Sequence, residues 1–114
     1  MIKQLGKIKN VKFGIGGYQN AMIGIHFTLG GDGWGIGDTW SVWDYEIIKR
    51  SEHAKWTEQD RDMNMVDIMR KISKLLKDAK VSSVDELAGI PIEVTLDGDG
   101  FGSLKEWRVL TEVL

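Results

Sequence analysis

The sequence predicts an α+β fold: an antiparallel sheet of about five strands covered by one long amphipathic helix, with a short second helix. Three observations predict it. Residues 57–80 carry apolar side chains at helical spacing, and no other stretch of the 114 residues does so at comparable length. The segments on both flanks alternate or run apolar as strands do, punctuated by glycine- and aspartate-rich turns. The order strands, helix, strands then calls for one helical layer on one antiparallel sheet. With a single proline and no repeat, low-complexity tract or linker, residues 1–114 read as one domain.

Each element follows in order. Around residues 5–13, lysines at 7, 9 and 12 alternate with Ile8, Val11 and Phe13, which predicts a half-wet strand beginning near Lys7. Gly14, Gly16 and Gly17 should break it. Residues 18–29 predict a second strand, and the short glycine-containing link makes the two a hairpin. The near-continuous apolar run from Met22 to Leu29 suggests burial on both faces, or one face plus a subunit contact. Residues 30–38 hold five glycines, and the expectation is a flexible ribbon on which Trp34 and Ile36 stand. A third strand over residues 39–48 places Trp40 and Val42 on one side, Ser41, Trp43 and Tyr45 on the other. In the helix, Met65, Met69, Ile72, Leu76 and Ala79 form the dry stripe, widened by Ile68 and Leu75. Thr57 is its N-cap, with Glu58 and Asp60 in the first turn. A short helix over residues 84–88 ends at Gly89. Strands over residues 92–96 and 104–114 follow, the last with Trp107, Val109 and Thr111 on one face.

Composition excludes whole classes of function. Without cysteine there is no disulfide, zinc–thiolate site, iron–sulfur cluster or thiol nucleophile. Basic and acidic residues number 15 and 17, net charge -2, with the basic share heavier in residues 1–56, at 7 against 5. That mild excess disfavours duplex DNA as the main ligand. No apolar run approaches the roughly 20 residues of a membrane span, and residues 1–12 mix lysines with single apolar residues, unlike a signal peptide. The expectation is a soluble intracellular chain.

Catalytic and metal motifs fail on spacing. The turn from Asp97 to Gly102 starts like a calcium loop, but its twelfth position is Arg108, where a bidentate carboxylate is needed. Gly14-x-Gly16 lacks the third glycine of a dinucleotide fingerprint, since Gln19 stands there, and no Gly-Lys-Ser/Thr follows any glycine run. His26 and His53 lack partners at ligand spacing, so His26 reads as a satisfied sheet residue. No serine sits in a nucleophile elbow. Hence no catalysis and no cofactor are expected. The positive lead is aromatic: Tyr18, Trp34, Trp40, Trp43 and Tyr45 crowd the glycine-rich region, with Lys49, Arg50 and Lys55 just downstream. An aromatic side chain on a loop can stack on a base or anchor a protein interface. Trp40, Trp43 and Trp107 could instead simply complete the sheet. Tyr18, Trp34, Trp40, Trp43 and Arg50 form the candidate ligand-binding set.

Four segments together resemble a family of small proteins encoded by tailed bacteriophages and prophages. They are Gly14-Ile15-Gly16-Gly17-Tyr18-Gln19-Asn20-Ala21, Gly33-Trp34-Gly35, Trp56-Thr57-Glu58-Gln59-Asp60-Arg61, and the ending from Leu104 to Leu114. The resemblance covers nearly the whole chain and carries no established activity. It implies expression in a host bacterial cytoplasm and an accessory, non-virion role. The functional expectation is a non-enzymatic, homo-oligomeric protein that binds a host protein or a nucleotide-like small molecule, in counter-defence. The alternative is a protein that binds single-stranded nucleic acid.

Overall fold

β1, Ile2–Gly16, is the longest strand and the centre of the sheet in the computed structural model, which describes residues 1–44, 57–98 and 103–114. It is followed by β2 (Met22–Gly31), β3 (Trp34–Trp43), α1 (Glu58–Ala79), β4 (Pro91–Leu96) and β5 (Leu104–Val109). The strands lie in the order β3-β2-β1-β4-β5, every neighbouring pair antiparallel. This is the α+β architecture expected.

The hydrophobic pattern of β1 changes phase in mid-strand, and a β-bulge accommodates the change. Ile8 is at an even position, whereas Val11, Phe13 and Ile15 are odd, so a regular strand would put them on opposite faces. The register against β2 shifts between Ile8 and Asn10, leaving Lys9 as the extra residue. Ile8 then pairs with Leu29, Val11 with Phe27 and Phe13 with Ile25, all on one face. A second shift between Thr95 and Leu96 makes Lys105 the extra residue of β5, which brings Leu104, Trp107 and Val109 onto that face too. The core there comprises Ile8, Ile25, Phe27, Leu29, Ile92, Val94, Leu96 and Val109, joined by Ile72, Leu75 and Ala79 of α1 and by Leu87. The apolar run of β2 divides by parity: Ile25, Phe27 and Leu29 are buried, while His26 and Thr28 lie on the opposite face.

The sheet is curled. In a flat sheet of five strands the outer two would be about 19 Å apart. Yet Trp40 of β3 and Trp107 of β5 stack with ring centroids 5.7 Å apart and planes at 13°. Their rings close over Phe27, whose centroid is 4.8 Å from Trp40 and 5.1 Å from Trp107. α1 packs against both β3 and β5 and so lies along the seam between the sheet's two outer strands.

Several expectations are corrected. Residues 30–38 are not a flexible ribbon: Asp32-Gly33 is a two-residue turn, Gly33 takes φ 77°, and Gly31 to Asp38 pair within the β2–β3 ladder. Asp-Gly between two strand-like runs is a strong hairpin signal in itself. β1 likewise runs through Gly14 to Gly16, and a 3-10 turn at Tyr18–Asn20 replaces the expected start of β2. On α1, Met65 and Met69 belong to the wet side, Met69 being 64% exposed. The buried positions Ile72, Leu75 and Ala79 fall in the C-terminal half of the helix, the part seated on the core. The short second helix is a single 3-10 turn at Val84–Glu86, and β5 ends at Val109, before a 3-10 turn at Thr111–Val113. Three residues close one turn only, too few to propagate an α-helix.

Both ends of α1 are capped, the first by Thr57 as the sequence indicates. The Thr57 hydroxyl accepts from the Asp60 amide at 3.1 Å, and Asp60 accepts from the Thr57 amide at 3.1 Å. Lys80 closes the helix in the left-handed conformation, its amide donating to Leu76 and Lys77. No helix among the described residues is long and apolar enough to cross a membrane.

Candidate functional site

The seam between β3 and β5 opens outward as a groove of about 490 Å³. Its walls come from three elements. β3 contributes Asp38, Thr39 and Trp40, α1 contributes Lys71, Lys74, Leu75 and Asp78, and β5 contributes Lys105 to Val109. That volume lies within the roughly 300–1,000 Å³ of small-ligand clefts. The stacked indoles of Trp40 and Trp107 form an aromatic surface in it. Trp107 Nε1 donates to Asp38 Oδ2 at 2.7 Å, which fixes that indole across the seam.

Four cations border the indoles. Lys71 Nζ lies 5.6 Å from the centre of the Trp40 ring, a cation–π arrangement. Lys74 Nζ donates to Asp78 at 2.6 Å, one turn along the helix. Arg108 is held by Glu93 at 3.3 Å and Glu112 at 3.1 Å. Hydrogen bonding to Arg108 holds the Glu112 carboxyl below its ordinary value, and the same contact raises the Arg108 guanidinium. Lys105, displaced outward by its bulge, reaches only the Met1 sulfur, at 3.1 Å. Lys71 and Lys105 therefore have no carboxylate partner among the described residues and can receive an anion.

The candidate residues do not share one surface. Trp40 is in the groove. Trp34 is on the same face of β3 but six residues away, about 20 Å along an extended strand. Its indole is half-buried in a notch that only glycines permit: a Cβ on Gly31 would come within 2.6 Å of its Nε1, and one on Gly6 within 2.8 Å of its ring. It is a packed residue rather than a free-standing platform. Trp43, on the outer face, meets Tyr18 edge-to-face at 6.1 Å, and Tyr18 is 68% exposed. The Trp43 carbonyl accepts from Arg61 Nε at 2.7 Å, beside a hollow of about 190 Å³. Arg50, Tyr45, Lys49 and Lys55 lie outside the described residues, as does His53.

Asp38, Lys71, Lys105, Trp107 and Arg108 carry the groove, and sequence reasoning missed them as site residues. Trp107 reads as core, and the lysines of α1 read as a solvated helix face. Only the curl of the sheet brings them together, and no local spacing reports it. His26 is satisfied as expected: Nε2 donates to the Gly14 carbonyl at 3.1 Å, leaving Nδ1 to accept from Thr39 Oγ1 at 2.9 Å. No group of three or more His, Cys, Asp or Glu that could hold a metal ion occurs among the described residues.

Comparison with protein-family models, with curated proteins and with solved structures finds no match to this chain.

Proposed function

We propose that this chain is a non-enzymatic accessory protein of a bacteriophage, acting in the host cytoplasm by capturing a nucleotide-like anion in the groove between β3 and β5. One observation carries the ligand class: a paired indole surface and two lysines without a carboxylate partner among the described residues border the same cleft. An aromatic base stacks on indole, and a phosphate is drawn to Lys71 and Lys105. The phage context is supported by the likeness of the four sequence segments to small phage proteins. Sequestration of a messenger nucleotide, hence counter-defence, is the role that fits a cleft pairing indoles with lysines.

A thermal-shift screen over linear and cyclic nucleotides tests it. A ligand at about 100 times its Kd should add about 2.7 kcal/mol of stability, a readily measured shift. Lys71→Ala should weaken that ligand by about tenfold while leaving the melting temperature of the free protein nearly unchanged. If no nucleotide shifts the transition, the messenger reading falls and a protein target takes its place.

A second reading has its own observation. Lys3, Lys7 and Lys12 are exposed along the outer face of β1, and the Tyr18–Trp43 pair lies near the end of that strand. Such a track suits a single-stranded nucleic acid, phosphates on the lysines and a base on the aromatic pair. A mobility shift that is absent even at low salt removes this reading, because phosphate neutralisation is strongest there.

A further inference from the structure

Among the described residues, one stretch of sheet edge pairs with neither α1 nor another strand. β3 and β5 flank the seam on which α1 lies. β4, however, pairs with β1 only over Ile2 to Lys7, while β1 runs on to Gly16. The step arises at Pro91, which starts β4 opposite Lys7. The chain before it hydrogen-bonds to β1 between Ile8 and residues 89 and 90, and the 3-10 turn Val84–Glu86 also packs near β1 without pairing as a strand. From Asn10 to Gly16 the side of β1 away from β2 therefore has no strand partner among the described residues. Such an edge offers backbone donors and acceptors to a further strand. The Ile15 carbonyl, which accepts from the exposed Lys12 Nζ, would exchange that bond for one to the new strand.

We propose that this edge pairs with the same edge of a second copy, antiparallel about a two-fold axis at Phe13, so that two sheets become one across the dimer. The side-chain sequence of the edge is self-complementary in that register. Phe13 meets Phe13, Val11 meets Ile15, Lys12 meets Gly14 and Asn10 meets Gly16 of the second copy. The apolar side chains share one face. Phe13, 59% exposed in the single chain, is covered at the axis. Each Lys12 faces a glycine and not its own counterpart, so the pairing sets no like charges directly opposite. The bulge at Lys9 ends the regular edge on one side and the turn at Gly17 ends it on the other, which limits the contact to a closed pair. This interface is independent of the proposed ligand.

Gly14 supplies the test. A Cβ there meets only the Lys12 Cε, at 3.6 Å, an ordinary contact, so the strand accepts a side chain at this position. Sedimentation velocity from about 1 to 100 µM should give twice the 12.8 kDa chain mass at the upper end. Gly14→Glu places a carboxylate opposite the second copy's Lys12 and should tighten the dimer severalfold. Gly14→Lys places an amine there and should weaken it at least as much, with unchanged circular dichroism. Phe13→Glu should give monomer throughout. A monomeric wild-type mass at 100 µM overturns the proposal, as does a dimer that the two Gly14 substitutions affect alike.

Discussion

Trp107 Nε1 and Asp38 Oδ2, from the two outer strands of the sheet, are 2.7 Å apart. The bond joins residues 69 positions apart in sequence. It makes the curl of the sheet a specified geometry and sets the width of the groove. A hydrogen bond to a carboxylate is worth roughly 1.5–3 kcal/mol. Trp107→Phe keeps a ring against Trp40 but removes the donor. Urea unfolding should show a loss of about 1–3 kcal/mol, and Asp38→Asn, which retains an acceptor, should lose less. Equal losses, or none, would mean that the bond does not hold the seam.

Trp34 and Gly31 are a matched pair. Gly31→Ala should destabilise by about 1–3 kcal/mol, because the new methyl overlaps the indole. In a Trp34→Ala background most of that cost should vanish, since the remaining close contact, Leu5 O at 3.3 Å, is far milder. A double-mutant cycle on the two substitutions checks this, and strict additivity would contradict it.

The N-terminus of α1 relies on Thr57. Replacement by alanine leaves the Asp60 amide without its acceptor and should cost about 1 kcal/mol, within the roughly 0.5–2 kcal/mol range of such caps. Serine in its place should recover most of the loss in the same unfolding assay.

Glu112 makes a pH-dependent contribution of known sign. Its carboxyl titrates below the ordinary value of 4.5 because Arg108 hydrogen-bonds the ionised form. A group depressed by folding adds stability above its unfolded pKa and loses that contribution as pH falls through its folded pKa. Glu112→Gln should therefore be slightly less stable than wild type near pH 7, and the difference should disappear below pH 4.5. Both side chains are at the surface, so the effect is small and should shrink further in high salt.

The fold was legible where the sequence is periodic or capped. Ile72, Leu75 and Ala79 mark the buried stripe of α1, and Thr57 with Asp60 marks its start. The bulges were not legible, because an extra residue such as Lys9 or Lys105 looks like a lapse in alternation until the partner strand is known. Glycine misled in one place. Residues 30–38 suggest freedom by composition, yet Gly31 is required for the close approach of Trp34, and of these nine residues only Gly33 uses a positive φ. Trp40 reads as a candidate from sequence, but its partners Trp107 and Lys71 arrive through curling of the sheet and packing of α1, both long-range properties. The Met65 and Met69 error has the same origin. Helical spacing tells which residues share a face, but not how much of that face the sheet covers.

The groove reading meets its most direct test in the indole resonances of the protein during titration with the nucleotide selected by thermal shift. With each tryptophan assigned by substitution, the account predicts that the Trp40 and Trp107 Nε1–H signals move saturably while those of Trp34 and Trp43 stay in place. Saturable movement confined to Trp34 or to Trp43, or stationary signals from all of them, would contradict it.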